Sequence, residues 1–287
     1  RKTMKDSRYG LLCAVLLGFG QLAMFTGYDT SSFVVEPVLH SVHDRAHDTI
    51  DGHAGYYGQA VLYAVYTMAN LIAPSILAIV GAKMSLVIGS SLFTLYLCSF
   101  LYVHYVPYYI CSGALGIGFA LFYTGHGGYL VEHSSRRTVE RNSSLVWGIG
   151  TSCMVLGGIA MMIITHANQM TVTQSIPEFE TLNSSTSEHR SYREFSDPEI
   201  RLLYGAFALI SLVSNIIFAS LPTRPVQYSL AEIKRAGDDP KDIRKNIGRV
   251  FSAIADPRMR QLAPLFCLIG TSTAFWIGAY PTTLQFS

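Results

Sequence analysis

Charge is what this chain is short of. Only 14% of its 287 residues are Asp, Glu, Lys or Arg, where soluble domains carry about 25%. Half of the residues are hydrophobic, so an ordinary water-facing domain is excluded. Cysteine is scarce too. Cys13, Cys98, Cys111, Cys153 and Cys267 all fall inside apolar stretches, with no partner at metal-ligand spacing and none in a long loop. Zinc modules and a disulfide framework are therefore excluded, and the five read as small apolar packing residues. No Gly-rich phosphate loop and no nucleic-acid module occurs, so neither a cofactor nor a nucleic-acid partner is expected. Gly150-Thr151-Ser152-Cys153 matches the loose Gly-x-Ser-x pattern of intramembrane serine proteases. Those also need a histidine on a later span; none exists there, and His166 shares the serine's own helix. No enzyme is expected.

What the chain has instead is seven long apolar runs, at 9–39, 57–80, 84–104, 106–131, 145–166, 199–221 and 262–286. About 20 such residues in a helix cross about 30 Å of hydrocarbon. Helices are the reading throughout, because lipid offers no partner to unpaired backbone groups and membrane β-barrels alternate apolar with polar residues. The fold class is all-α polytopic. A six-span bundle occupies 1–221, an inter-bundle loop 222–261, and a seventh span 262–287. Arg1, Lys2, Lys5 and Arg8 precede the first run as in a signal peptide. That run lacks an Ala-x-Ala-like site and is too long for a signal core, so it reads as a retained span.

The basic residues orient the bundle. Four lie in the N-terminal tail, Lys83 in the second-to-third turn, Arg136, Arg137 and Arg141 in the fourth-to-fifth loop, and nine between Arg224 and Arg260. Of the 21 Lys and Arg, that leaves Arg45, Arg190, Arg193 and Arg201 for the opposite face. The excess of positive charge puts the N-terminus and the 222–260 loop in the cytosol. Asn142, in an Asn-Ser-Ser sequon, then lies on the wrong side for glycosylation. Asn183, in the acidic 167–198 loop outside, is the candidate N-glycosylation site. In the 222–260 loop, Ile233, Ile243, Ile247, Val250, Phe251 and Ile254 interleave with basic residues, the pattern of short amphipathic helices lying on the membrane surface.

Ionisable and polar groups within lipid are costly, so they are the site candidates. Gln21, Phe25, Asp29, Ser32 and Glu36 recur at steps of three and four on the first span and share one face. Asp29 is either a cation- or proton-binding carboxylate lining a cavity or a water-facing residue near the outer interface. Glu36-Pro37 marks the helix exit. Asn70 precedes Pro74 by one turn, and serves either the pathway or the kink that proline imposes. His126, within Tyr123-Thr124-Gly125-His126-Gly127-Gly128-Tyr129, is either a relay for protons or a packed imidazole. Six glycines from Gly113 to Gly128, and Gly148, Gly150, Gly157 and Gly158 on the next span, permit close helix approach.

Five stretches carry a resemblance. They are FTGYDTSSFVVEPVL, YTMANLIAPSILAIVGAKMSLVIGSSLF, GFALFYTGHGGYLVEHS, RNSSLVWGI and DPRMRQLAPLFCLIGTSTAFWIGAYPTTL. In that order and spacing the chain resembles the Unc-ninety-three-like family of the major facilitator superfamily. The resemblance implies a twelve-span fold of two six-helix halves around a cavity, of which this chain supplies a major-facilitator-like N-terminal bundle and the start of a seventh helix. Where major facilitator transporters usually carry Gly-x-x-x-Asp-Arg/Lys-x-Gly-Arg-Arg/Lys, this chain offers only Gly81-Ala82-Lys83, a loss the family shares. Two functions follow as expectations. One is carriage of a small solute or ion through a cavity lined by the first, second and fourth spans, with Gln21, Asp29, Asn70 and His126 as pathway candidates. The other is a non-transporting subunit that regulates an ion channel or escorts a receptor, in the plasma membrane or an endomembrane. A seven-span G-protein-coupled receptor is excluded by the cytosolic N-terminus, by the missing Asp-Arg-Tyr on the third span and by the missing Asn-Pro-x-x-Tyr on the seventh.

Overall fold

Apolar runs in lipid must pair their own backbone groups, and the first six do so as helices. The computed structural model describes residues 2–173, 195–224, 229 and 243–275. Among these residues the order is α1 (Lys2–Ser32), α2 (Val35–Arg45), α3 (Ala54–Val80), α4 (Ala82–Ser99), α5 (Tyr105–Glu132), α6 (Val139–Thr151), α7 (Cys153–Thr173), α8 (Asp197–Ser220), α9 (Ile243–Ala255) and α10 (Pro257–Ala274), with no strand. Six stretches are long and apolar enough to cross a bilayer: Ser7–Ser32, Ala54–Val80, Ala82–Ser99, Tyr105–Glu132, Val139–Ile163 and Asp197–Ser220. This is an all-α polytopic membrane protein. Helix α10 holds the start of the seventh run; the rest of that run, and Asn183, lie outside the described residues.

The single first helix expected over 9–39 is corrected. It stops at Ser32, and a second helix starts at Val35. Proline has no N–H, and its ring would strike the carbonyl four residues back, that of Phe33. The chain breaks there, with Val34 N–H donating to the Ser31 carbonyl at 3.0 Å. Ser31 and Ser32 hydroxyls both donate to the Tyr28 carbonyl, at 2.8 and 2.9 Å, competing with the helix ladder. Glu36-Pro37 consequently sits in the first turn of α2 rather than at an exit, and Glu36 leaves the face shared by Gln21, Phe25, Asp29 and Ser32.

The fifth span is bent in the same manner. Thr151 Oγ1 donates to the Trp147 carbonyl at 2.8 Å and Ser152 Oγ to the Gly148 carbonyl at 3.0 Å, and α6 gives way to α7 at Ser152. Hydroxyls bonding back in this way bend helices.

Helix α1 is the hub, packed on α8, α6 and α7, while α5 lies between α3 and α4, and α4 also meets α8. Gly116 lets α5 reach the backbone of α3, since a Cβ there would land on the Leu62 carbonyl. The core between α1, α4 and α5 is aromatic. Phe93 and Phe119 ring centres lie 4.6 Å apart, with Tyr28 at 5.2 Å from each. Phe100 stacks on Tyr204 at 4.0 Å, joining α8 to the segment after α4. A polar tie reinforces α4 against α8: the Thr94 and Ser211 hydroxyls lie 2.8 Å apart, and Asn215 Nδ2 donates to Thr94 Oγ1 at 3.0 Å. Gly81, at φ +82°, makes the one-residue turn from α3 to α4.

Cysteine placement divides the expected packing role. Cys13, Cys111 and Cys153 are buried, but Cys98 and Cys267 are exposed. Those two face outward from the bundle and fill none of its core.

Candidate functional site

A cavity of about 660 Å³ opens beside α1. Helix α1 contributes Gln21, Phe25, Tyr28 and Asp29; α3 contributes Tyr63 and Tyr66; α5 contributes Phe119 and Tyr123. Those three walls match the expected first, second and fourth spans. The bent fifth span adds Trp147, Gly150, Thr151, Cys153 and Met154, and Ile269, Gly270, Thr273 and Ala274 of the exposed α10 border the opening.

The helical step of four puts Gln21, Phe25 and Asp29 on this wall. Gln21 is 2% exposed, lies against Gly150, and its Oε1 has no hydrogen-bond partner among the described residues. Asp29 Oδ2 accepts a 3.4 Å hydrogen bond from Cys153 Sγ. Cys153 opens α7, and the partial positive charge of a helix N-terminus favours a carboxylate beside it. Tyr63 and Tyr123 lie within electrostatic reach of Asp29 from two other helices.

The other two candidates stand elsewhere. Asn70 Nδ2 donates to the Tyr66 carbonyl at 2.9 Å on its own helix, one turn before Pro74. His126 is 4% exposed, packed with ring centres 5.5 Å from Phe122 and 5.7 Å from Trp147, and its Nε2 has no partner among the described residues. Neither lines the cavity, although Trp147 separates His126 from it by one ring. Asn142, the discounted sequon, is buried and donates to Ser134 Oγ at 2.9 Å. Among the described residues no three His, Cys, Asp or Glu side chains converge as a metal site.

Sequence reasoning missed Cys153 and the aromatic wall of Tyr63, Tyr66, Phe119, Tyr123 and Trp147. The cysteine had no visible signal, since in an apolar run it looks like packing. The aromatics had one: Tyr63 and Tyr66, and Phe119 and Tyr123, are spaced to share a helix face.

Six membrane-crossing stretches, four of which line a cavity that holds one carboxylate, define a multi-pass membrane protein. Residues 46–287 match the family described as Ion channel regulatory protein UNC-93, and the chain belongs to that family. UNC93-like protein MFSD11 of Xenopus laevis is 28% identical over 213 residues, covering 74% of this chain and 42% of the relative. The MFSD11 of Xenopus tropicalis is 27% identical over the same extent. UNC93-like protein 1 of Arabidopsis thaliana is 24% identical over 170 residues, 58% of this chain and 35% of that one. The chain thus spans less than half the length of these relatives.

Proposed function

We propose that the protein containing this chain is a major-facilitator-type carrier that moves a small solute or ion by alternating exposure of the α1–α3–α5 cavity. The cavity itself carries the reading: a space of about 660 Å³ between the six-helix bundle and the seventh helix, with Gln21 and Asp29 on its wall. A binding volume between two helical bundles that rock about it is the common design of secondary transporters. The break at Ser152 supports it further, since interrupted helices recur at such sites.

The test is flux into proteoliposomes by the complete protein. Asp29→Asn is expected to cut the initial rate about tenfold, the loss of roughly 1.4 kcal/mol of transition-state stabilisation. Asn70→Ala, off the cavity wall, is expected to stay within about twofold. Equal rates in all three proteins would sink the proposal.

The second reading is a subunit that regulates an ion channel. The description of the matched family favours it. Purification in mild detergent with a stoichiometric channel partner, and no flux, would select it. On either reading the N-terminus faces the cytosol, and Asn183 carries a glycan on the opposite side.

A further inference from the structure

We infer that the α1–α3–α5 cavity selects a small organic monocation, an amine or quaternary ammonium, held by Asp29 within an aromatic cage. The inference rests on the carrier reading for its biological role, but its chemistry stands on the cavity wall alone.

Three observations converge. First, charge: among the described residues Asp29 is the only carboxylate on the wall, and no Lys, Arg or His lines it. None of the ion pairs among the described residues includes Asp29. A carboxylate in a largely apolar cavity without a counter-ion attracts a cation strongly and repels an anion. Second, Gln21 on the same wall carries an acceptor, Oε1, with no donor among the described residues. Third, the walls are rings. Phe25, Tyr28, Tyr63, Tyr66, Phe119, Tyr123 and Trp147 face the space from four helices. Neighbouring centres are close enough to form a continuous surface, with Tyr28 to Phe119 at 5.2 Å, Phe119 to Tyr123 at 6.0 Å and Phe25 to Tyr123 at 6.2 Å. Ring faces are negative and hold cations whose charge is spread over methyl groups or a guanidinium plane.

That composition also decides between kinds of cation. Bare sodium or calcium needs about six oxygen ligands to replace its water. Here Asp29 is the one carboxylate among the described lining residues, and most of the wall is hydrocarbon. An organic cation needs one carboxylate and a cage, which is what the wall supplies.

Choline and tetraethylammonium are the probes, with 3,3-dimethylbutan-1-ol as the uncharged isostere of choline and acetate as the anion. Binding to the complete protein in detergent is read by isothermal titration, with no gradient required. Both cations are expected to bind, the isostere about tenfold more weakly, and acetate not at all. Asp29→Asn is expected to weaken choline about tenfold and Asp29→Glu to retain it within about threefold. Isostere binding as tight as choline, choline affinity unchanged in Asp29→Asn, or no binding of either cation overturns the inference. Should Asp29→Asn fail to fold, the isostere comparison on the unaltered protein still decides. Choline binding without flux would remove the carrier reading and keep this one; flux of another solute without choline binding would do the reverse.

Discussion

At Gly81 the backbone adopts φ +82° and ψ 164°, a region open essentially to glycine alone. Gly81→Ala is expected to cost about 1–3 kcal/mol of stability, although its Cβ would meet no neighbouring atom, because the strain is in the backbone itself. Thermal unfolding in detergent measures it. Glu36 makes a second prediction at this scale. Burial in the contact of α2 with the start of α3 raises its carboxyl above the usual 4.5, with the His53 hydrogen bond pulling the other way. The folded state therefore holds this proton more tightly than the unfolded chain does. Its contribution to stability is complete below pH 4.5 and is lost as pH rises through the raised value. Glu36→Gln, neutral throughout, should unfold at a higher temperature than the parent near about pH 7.5 and show no gain near about pH 4. Of the site, Gln21 and Asp29 were legible because a helical step of four makes a shared face visible in one dimension. Cys153 was not. Its role exists only because α7 brings it within 3.4 Å of a carboxylate 124 residues away in sequence.

Elements were legible where hydropathy alone determines them and illegible where a few polar side chains redirect the backbone. The apolar run of 145–166 announced a span, but not its break, which comes from Thr151 and Ser152 spending their hydroxyls on Trp147 and Gly148 carbonyls. That break turns Trp147 and Cys153 toward the same cavity. The first run misled for a related reason: Pro37 reads as a stop, whereas a proline is accommodated in a first turn, and the interruption falls three residues earlier. The α3–α5 contact offers the test at this scale. A side chain at Gly116 would collide with the Leu62 carbonyl and the Tyr66 backbone nitrogen, so neither neighbour can yield by rotating a side chain. Gly116→Val is expected to destabilise by about 1–3 kcal/mol and to broaden elution in detergent, with Gly127→Ala, which meets nothing, as the neutral control.

For the whole molecule, six of the seven expected spans were legible and their arrangement was not, since which helix touches which depends on contacts between residues far apart in sequence. The asymmetry of Lys and Arg yields a prediction about orientation. In sealed vesicles, a single cysteine at Arg137 should be labelled only from the cytosolic side, and one at Asp48 only from the other; the opposite pattern would overturn the orientation proposed from the basic residues. Two segments at one end of the bundle are also fastened to each other. Arg45, at the end of α2, donates to the Phe195 carbonyl and pairs with Asp197 at the start of α8. Through this clasp a tilt of α8 pulls on the end of α2. The two would then tend to move together, with the turn at residues 33–34 as the hinge to α1.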